Sequence, residues 1–507
     1  MSTTTGGSAA AEQLQRNAIG VWDLVFFVGA AAAPLTVAAG IVPLAIGRGG
    51  IGAPGGYLIA GVLLLLFAVG FTRMSRHVRN AGAFYAYIGH GLGRVAGAGA
   101  ATMAIFCYST LNIGLYGAAG FFASTTFRDL FGIDLSWPVW AFAVLVLVAW
   151  LGFRQVTLSA RLLAVALLAE IAILGVLAVA VLADGGHDGL SAHPLSPGTW
   201  FTGGTTSAVV LCFGAFVGFE ATALYSEESR DSARAVTRAT YVAVTFLTVF
   251  YVFISWMIIQ AFGDAGALAI AGQDPAAMFF VATGDYVGTF AVDVMRVLIV
   301  TSALAALLAS HNATARYAFA LGREGVLPRV FGRAHRRTHA PWVAGFAQSA
   351  VAAVVVGVFA IAGADPFTQL LLWVNSPGIV GLMGLQGLCA VAVVGYYRRH
   401  PGLASAWAVA VAPTLAAAGM AAAVVLGTLK FDVLTGAGTT TNVLLLAPLP
   451  LCFAAGALRA RHIRRHDPEA YKILTTYRVD DDTPPTSPLG PDGTAPSAPP
   501  LGLGATR

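Results

Sequence analysis

The chain has 507 residues, of which 57% are hydrophobic and only 10% charged. Soluble proteins carry about a quarter charged residues, so 29 Lys and Arg with 24 Asp and Glu cannot cover a soluble surface of this size. Together with a mean hydropathy of +0.76, this excludes a soluble enzyme, a nucleic-acid-binding protein and a disordered scaffold, and leaves a polytopic membrane protein.

Apolar runs of the ~20 residues needed to cross a bilayer recur along most of the chain. They predict an all-α polytopic membrane protein of about 12 transmembrane helices, at roughly 21–46, 54–72, 97–127, 138–152, 159–183, 203–226, 237–262, 291–321, 342–363, 367–396, 406–430 and 441–460. Residues 1–20 are polar, and the first apolar run is long enough to span and stay, so no cleavable leader is expected. The helical domain is expected over 21–465, with a first repeat at about 21–183, a second at about 203–396 and extra helices at about 406–460. The tail over 466–507 turns acidic and then Pro-rich without apolar periodicity, which predicts disorder.

Loop charge supports this parse. With the N-terminus inside, only Arg48, Arg128, Arg296 and Lys430 fall on the outer side, and every other Lys or Arg falls on the cytoplasmic side. Such a split across alternating loops is a positive-inside signal. It places both termini in the cytoplasm and explains the pI of about 9.1. Cys107, Cys212, Cys389 and Cys452 all lie in apolar runs without metal-ligand spacing, so they read as small apolar fillers, and no metal or cofactor is expected.

Two helices carry internal breaks. The first has Gly29-Ala30-Ala31-Ala32-Ala33-Pro34 at mid-span, and the sixth has Gly214-Ala215-Phe216-Val217-Gly218-Phe219-Glu220. Small residues, paired glycines and a proline weaken the helix ladder where no water can replace its bonds. Broken helices at matching positions of two halves point to a transporter site. The competing reading is ordinary Gly/Ala packing between helices.

Four stretches resemble the amino acid–polyamine–organocation (APC) superfamily of permeases. They are the broken first helix; Asn80-Ala81-Gly82-Ala83-Phe84-Tyr85-Ala86-Tyr87 with Gly93; Phe216 to Glu220 followed by Glu227-Glu228-Ser229-Arg230-Asp231; and Ala315 to Ala320 running into Gly322-Arg323-Glu324-Gly325-Val326-Leu327-Pro328. Arg79 departs from the proline usual before the second stretch. The resemblance implies a leucine-transporter-type fold, a 5+5 inverted repeat followed by two extra helices. It also implies alternating-access transport of amino acids or related amines across the cytoplasmic membrane. The substrate carboxylate would then sit on amides of Gly29, Ala30, Ala31, Ala32 and Ala33, although the family's Gly-(Ser/Thr)-Gly pattern is absent. The substrate amine would meet carbonyls from Phe213 through Gly214 and Phe216 to Gly218.

Ionisable residues inside spans are costly, at about 2.5–3.5 kcal/mol for an acid at the centre, and so usually face a cavity. Glu220 follows the sixth-helix break and is a candidate proton carrier, because desolvation penalises its charged form. By resemblance it matches a glutamate of the arginine–agmatine antiporters. Glu170 lies mid-span in helix five, where L-type exchangers and some proton-coupled relatives have a lysine. Proton site, cation ligand and structural hydrogen bond are all open for it. Asn112 in helix three matches a substrate-binding asparagine of the same antiporters, with Tyr108 and Tyr116 one turn to either side. Its competing role is interhelical hydrogen bonding. His311, near Ser310 and Thr314, reads as a satisfied buried histidine, while Trp373, Asn375 and Ser376 are gate or packing residues. Gly214 stands where those antiporters have tryptophan, so their specificity does not transfer.

A membrane enzyme would need a nucleophile, base or metal set at one face. No H-E-x-x-H, no G-x-S-x-G in the right setting and no Walker loop occurs, so no catalytic residue is expected. A secondary transporter, coupled to protons or working by exchange, is the leading reading. Sodium coupling, a polyamine or cationic amine as substrate, and a non-transporting ligand sensor on the same scaffold remain alternatives. The lipid bilayer is the expected environment, nucleic acid is not an expected partner, and the sequence leaves the oligomeric state open.

Overall fold

The computed structural model describes residues 29, 32–78, 84–154, 160–201, 204–219, 232–335, 337–338 and 340–474. Among these residues every regular element is helical. Nine helices are long and apolar enough to cross a membrane, and shorter apolar helices occupy Pro34–Gly49 and Trp137–Phe153.

The first span continues from its break as α1 (Pro34–Gly40) and α2 (Val42–Gly49), followed by α3 (Ala53–Met74). The short α4 (Phe84–Leu92) leads into α5 (Arg94–Phe131), which stops at Gly132 in the left-handed region (φ 69°), the usual glycine helix stop. Then come α6 (Trp137–Phe153), α7 (Ala160–Asp184) and the ten-residue α8 (Thr205–Gly214) of the sixth span. Helix α9 (Ser232–Gln273) follows, then α10 (Met278–Tyr286), α11 (Thr289–Arg323) and α12 (Trp342–Ile361). The tenth span is α13 (Leu372–Arg399), entered through a π-helical turn, Pro366–Leu371. Helix α14 (Ala412–Leu429) and the pair α15 (Thr439–Leu446) and α16 (Pro448–His466) complete the set. Spans one, four and six together with the nine long helices account for the twelve predicted spans.

The packing follows a five-helix repeat. Helices α2 and α8, α3 and α9, α5 and α11, and α6 and α12 pack in pairs. Each of these four helices therefore meets the one five spans later. An odd repeat reverses chain direction, so these pairs run antiparallel, as an inverted repeat requires. Helix α14 packs on α13 and α3, and α16 packs on α5. The outward surfaces are apolar: Val146, Val179 and Val354 are about two-thirds exposed, as lipid-facing positions are.

The arginine-bearing loops gather at one end. Arg399 donates to the carbonyls of His90 and Gly91, and Arg459 Nε donates to Gly325 O at 3.4 Å. At the other end Arg296 pairs with Asp129 (2.7 Å), and the Arg48 guanidinium lies beside Gly436.

Two boundaries differ from the sequence reading. Helix seven was expected to end at 262, yet helical structure continues to Gln273 beyond Gly263, whose φ of 69° separates two helices. The sequence over 264–273 is still apolar, so composition alone did not mark the stop. After Arg465 the chain also remains structured, with Pro468–Ile473 helical and capped by Asp467 accepting from the Ala470 N–H (2.9 Å). Leu474 is fully buried. Residues 475–507 lie outside the described residues.

Candidate functional site

Both breaks anticipated in the sequence are local consequences of residue type. In the first span Ala33 takes φ 43° and ψ 67°, the only positive φ at a non-glycine among the described residues. Pro34 then starts α1. Proline has no N–H to lose at this position and its φ suits a helix start. Gly29, Ala32 and Ala33 are described, and Ala32 and Ala33 are buried; Ala30 and Ala31 lie outside the described residues. In the sixth span α8 ends at Gly214. The chain then turns through short-range bonds, Ala215 N–H to Cys212 O (3.2 Å), Phe216 N–H to Phe213 O (3.1 Å) and Val217 N–H to Gly214 O (3.3 Å), reaching Gly218 at φ 109°. Phe213, Phe216 and Phe219 are all buried. Glu220 lies outside the described residues.

The two half-helices are neighbours. Helix α2 packs on α8, and a Cβ at Gly204 would come 2.9 Å from Arg48 O. The outer ends of the two half-helices are therefore in register. At about 1.5 Å per residue, Pro34 lies roughly 21 Å from Arg48 along the first half-helix, and Gly214, the last residue of α8, roughly 15 Å from Gly204. At its break one half-helix presents its N-terminus and the other its C-terminus. The first carries the positive end of a helix dipole and the second the negative end.

Glu170 of α7 joins this site. Its Oε2 accepts from the Leu35 N–H at 3.1 Å, the second residue of α1, so the carboxyl caps the N-terminus of the half-helix. The Ser302 hydroxyl of α11 also hydrogen-bonds the carboxyl, and Thr36 Oγ1 donates to Ser302 Oγ at 2.9 Å. A donor chain thus runs from Thr36 through Ser302 to Glu170. Glu170 is 5% exposed. Leu35, Thr36 and Ser302 were not singled out in the sequence; a serine within the apolar run of helix eight was the one available signal.

Gly214 is covered from α13. A Cβ there would lie 2.6 Å from Ile379 Cδ1, so Ile379 fills the space that a large residue at 214 would take. Asn112 faces α11 and α12. Its Nδ2 donates to Leu307 O (3.2 Å) and Ser310 Oγ (2.7 Å), and its Oδ1 accepts from Gln348 Nε2 (3.3 Å). Gln348 Oε1 accepts from Ser109 Oγ at 2.7 Å. This network ties α5 to α11 and α12. Tyr116 packs with the same group of helices, while the Tyr108 ring lies 5.9 Å from Tyr317. Trp373 donates to Thr435 O (2.8 Å). Asn375 Oδ1 and Ser376 Oγ are buried without a hydrogen-bond partner among the described residues. No group of three or more His, Cys, Asp or Glu suited to a metal occurs among the described residues.

Comparison with known proteins agrees with this architecture. The family model for amino acid permeases matches residues 23–457. The chain is 25% identical over 206 residues to the branched-chain amino acid permease BcaP of Bacillus subtilis, covering 40% of this chain and 41% of that one. It is 24% identical over 303 residues to the low-affinity putrescine importer PlaP of Escherichia coli, covering 57% of this chain and 63% of that one. It is 28% identical over 243 residues to an uncharacterised transporter of Mycobacterium tuberculosis, covering 46% and 52%. The matches thus span about two-fifths to three-fifths of these relatives' lengths. With twelve helical segments, breaks in the first and sixth, and a family match over most of its length, the chain belongs to the amino acid permease family, within the APC superfamily.

Proposed function

We propose that the chain is a secondary active transporter that moves amino acids or related amines across the cytoplasmic membrane by alternating access, coupled to protons or working by exchange. The observation that carries this reading is the pair of helix breaks, in two half-helices that pack on each other and end with opposite poles. A carboxylate suits the N-terminal pole near Gly29 to Ala33, and an ammonium suits the carbonyl pole from Phe213 to Gly218. A zwitterion is then held without a charged side chain. Two relatives carry names of this kind, one a branched-chain amino acid permease and one a putrescine importer.

In this reading Glu170 is the coupling group. Its carboxylate accepts the Leu35 N–H; the protonated acid accepts more weakly and adds a donor of its own. Proton binding therefore changes how firmly the first half-helix is held to α7 and α11. Glu220, one residue past the sixth break, is the second candidate for this role. Asn112 holds α5 against α11 and α12 behind the site. The arginine-rich end faces the cytoplasm under the positive-inside rule.

The test is uptake into proteoliposomes of purified protein, using labelled amino acids and putrescine in sodium-free buffer. Accumulation under an imposed inward proton gradient supports the proton-coupled form, and uptake only into substrate-loaded vesicles supports exchange. Thermal stabilisation by a compound that is never transported would overturn transport in favour of a sensor.

A further inference from the structure

At the arginine-rich end, a cavity of about 20 Å³ opens between α6, α11 and α12, lined by Gly152, His311, Asn312, Arg316, Trp342 and Gly345 among others. His311 on its wall is 2% exposed, and its Nδ1 has no hydrogen-bond partner among the described residues, unlike the satisfied histidine expected from the sequence. The ring fits only because its neighbours are glycines. A Cβ at Gly152 would come 2.8 Å from Cδ2 and 2.9 Å from Nε2, and one at Gly345 would come 3.4 Å from Nε2. A buried ring nitrogen without a partner is costly, so the cavity that His311 lines is suited to a polar ligand. Arg316, at the mouth, is exposed and forms no ion pair with the described residues. Arg154 sits over the Trp150 ring (5.6 Å) on the same helix end as Gly152.

Exposed apolar surface flanks the mouth. The flanking faces of α6 and α12 carry Val146, Trp150, Phe346, Val351 and Val354, all about half to two-thirds exposed. Trp342, 39% exposed, sits at the first turn of α12, where interfacial tryptophans anchor at headgroup level. Basic clefts between helices at such a level bind acidic headgroups. We propose that this cleft binds the phosphate of an anionic phospholipid. One phosphate oxygen enters beside His311 and Asn312, since a space of this size takes about one water-sized group. The remaining oxygens stay in the mouth against Arg316, and the acyl chains lie along α6 and α12.

The test is thermal unfolding of the detergent-purified full chain, followed by tryptophan fluorescence. Short-chain phosphatidylglycerol, phosphatidylcholine of the same chain length, and inorganic phosphate are added separately. Phosphatidylglycerol is expected to raise the midpoint by several degrees beyond phosphatidylcholine, and inorganic phosphate to leave it unmoved. Arg316→Gln and His311→Ala should each remove at least half of the extra shift while leaving the phosphatidylcholine response intact. Should His311→Ala not fold, Arg316→Gln, a change at an exposed position, carries the test alone. Equal shifts with the two lipids, a full shift with inorganic phosphate, or an unreduced shift in Arg316→Gln would overturn the proposal. The result is independent of whether, or what, the protein transports.

Discussion

Two buried polar clusters serve opposite purposes in this molecule. Around Asn112, every polar atom of the amide is used: Leu307 O and Ser310 accept from it, Gln348 donates to it, and Ser109 closes the set. No member ionises near neutral pH, and all lie on unbroken helices. Around Glu170 the partners are a half-helix N–H and the Ser302 hydroxyl, which itself accepts from Thr36, and the central group can take a proton. The first cluster is self-sufficient and fixes three helices. The second ties an ionisable group to a helix break. Satisfied neutral networks make rigid scaffolds, whereas a carboxyl at a break links protonation to the position of a helix.

The largest effect should come from disturbing the first break. Ala33 holds φ 43°, a region where a β-branched residue is a genuine outlier. Ala33→Val should cut the initial uptake rate in proteoliposomes more than about tenfold through that strain; normal uptake would show that the backbone there does not shape the site. Next is the pairing of Gly214 with Ile379. Gly214→Val should lower uptake severalfold, and adding Ile379→Ala should restore part of it by returning the space. Purely additive losses in that cycle would mean that the contact does not matter.

On the scaffold side, Asn112→Ala should lower unfolding stability by about 1–3 kcal/mol, the cost of leaving buried partners unpaired. The KM for substrate should stay unchanged, since the lost bonds all run between helices; a raised KM with unchanged stability would instead place the amide on the substrate. The smallest effect is Ala33→Gly, which removes the left-handed penalty and should stabilise the protein by up to about 1 kcal/mol in a denaturation experiment, less the added freedom of glycine when unfolded.

Local features were legible in the sequence and distant partnerships were not. Apolar length and arginine placement located the spans, because the bilayer imposes both. Pro34 and the Gly214–Gly218 pair marked the breaks, because these residues act on their own backbone. Glu170 stood out as a carboxyl in an apolar run, yet its partners lie 135 residues away at Leu35 and in helix eight at Ser302, and nothing in local pattern links them. Ile379 over Gly214 is likewise a tertiary fact. The extension of helical structure to Gln273 escaped notice because its apolar composition matches a span that has already ended.

The most direct test compares proton-driven accumulation of substrate in proteoliposomes bearing the native chain and Glu170→Gln. Glutamine keeps the shape and can still accept the Leu35 N–H, but it takes up no proton. The account predicts accumulation above the external concentration for the native chain under an inward proton gradient, and a variant that equilibrates substrate without accumulating it. Undiminished gradient-driven accumulation by Glu170→Gln would contradict the role assigned to this carboxyl.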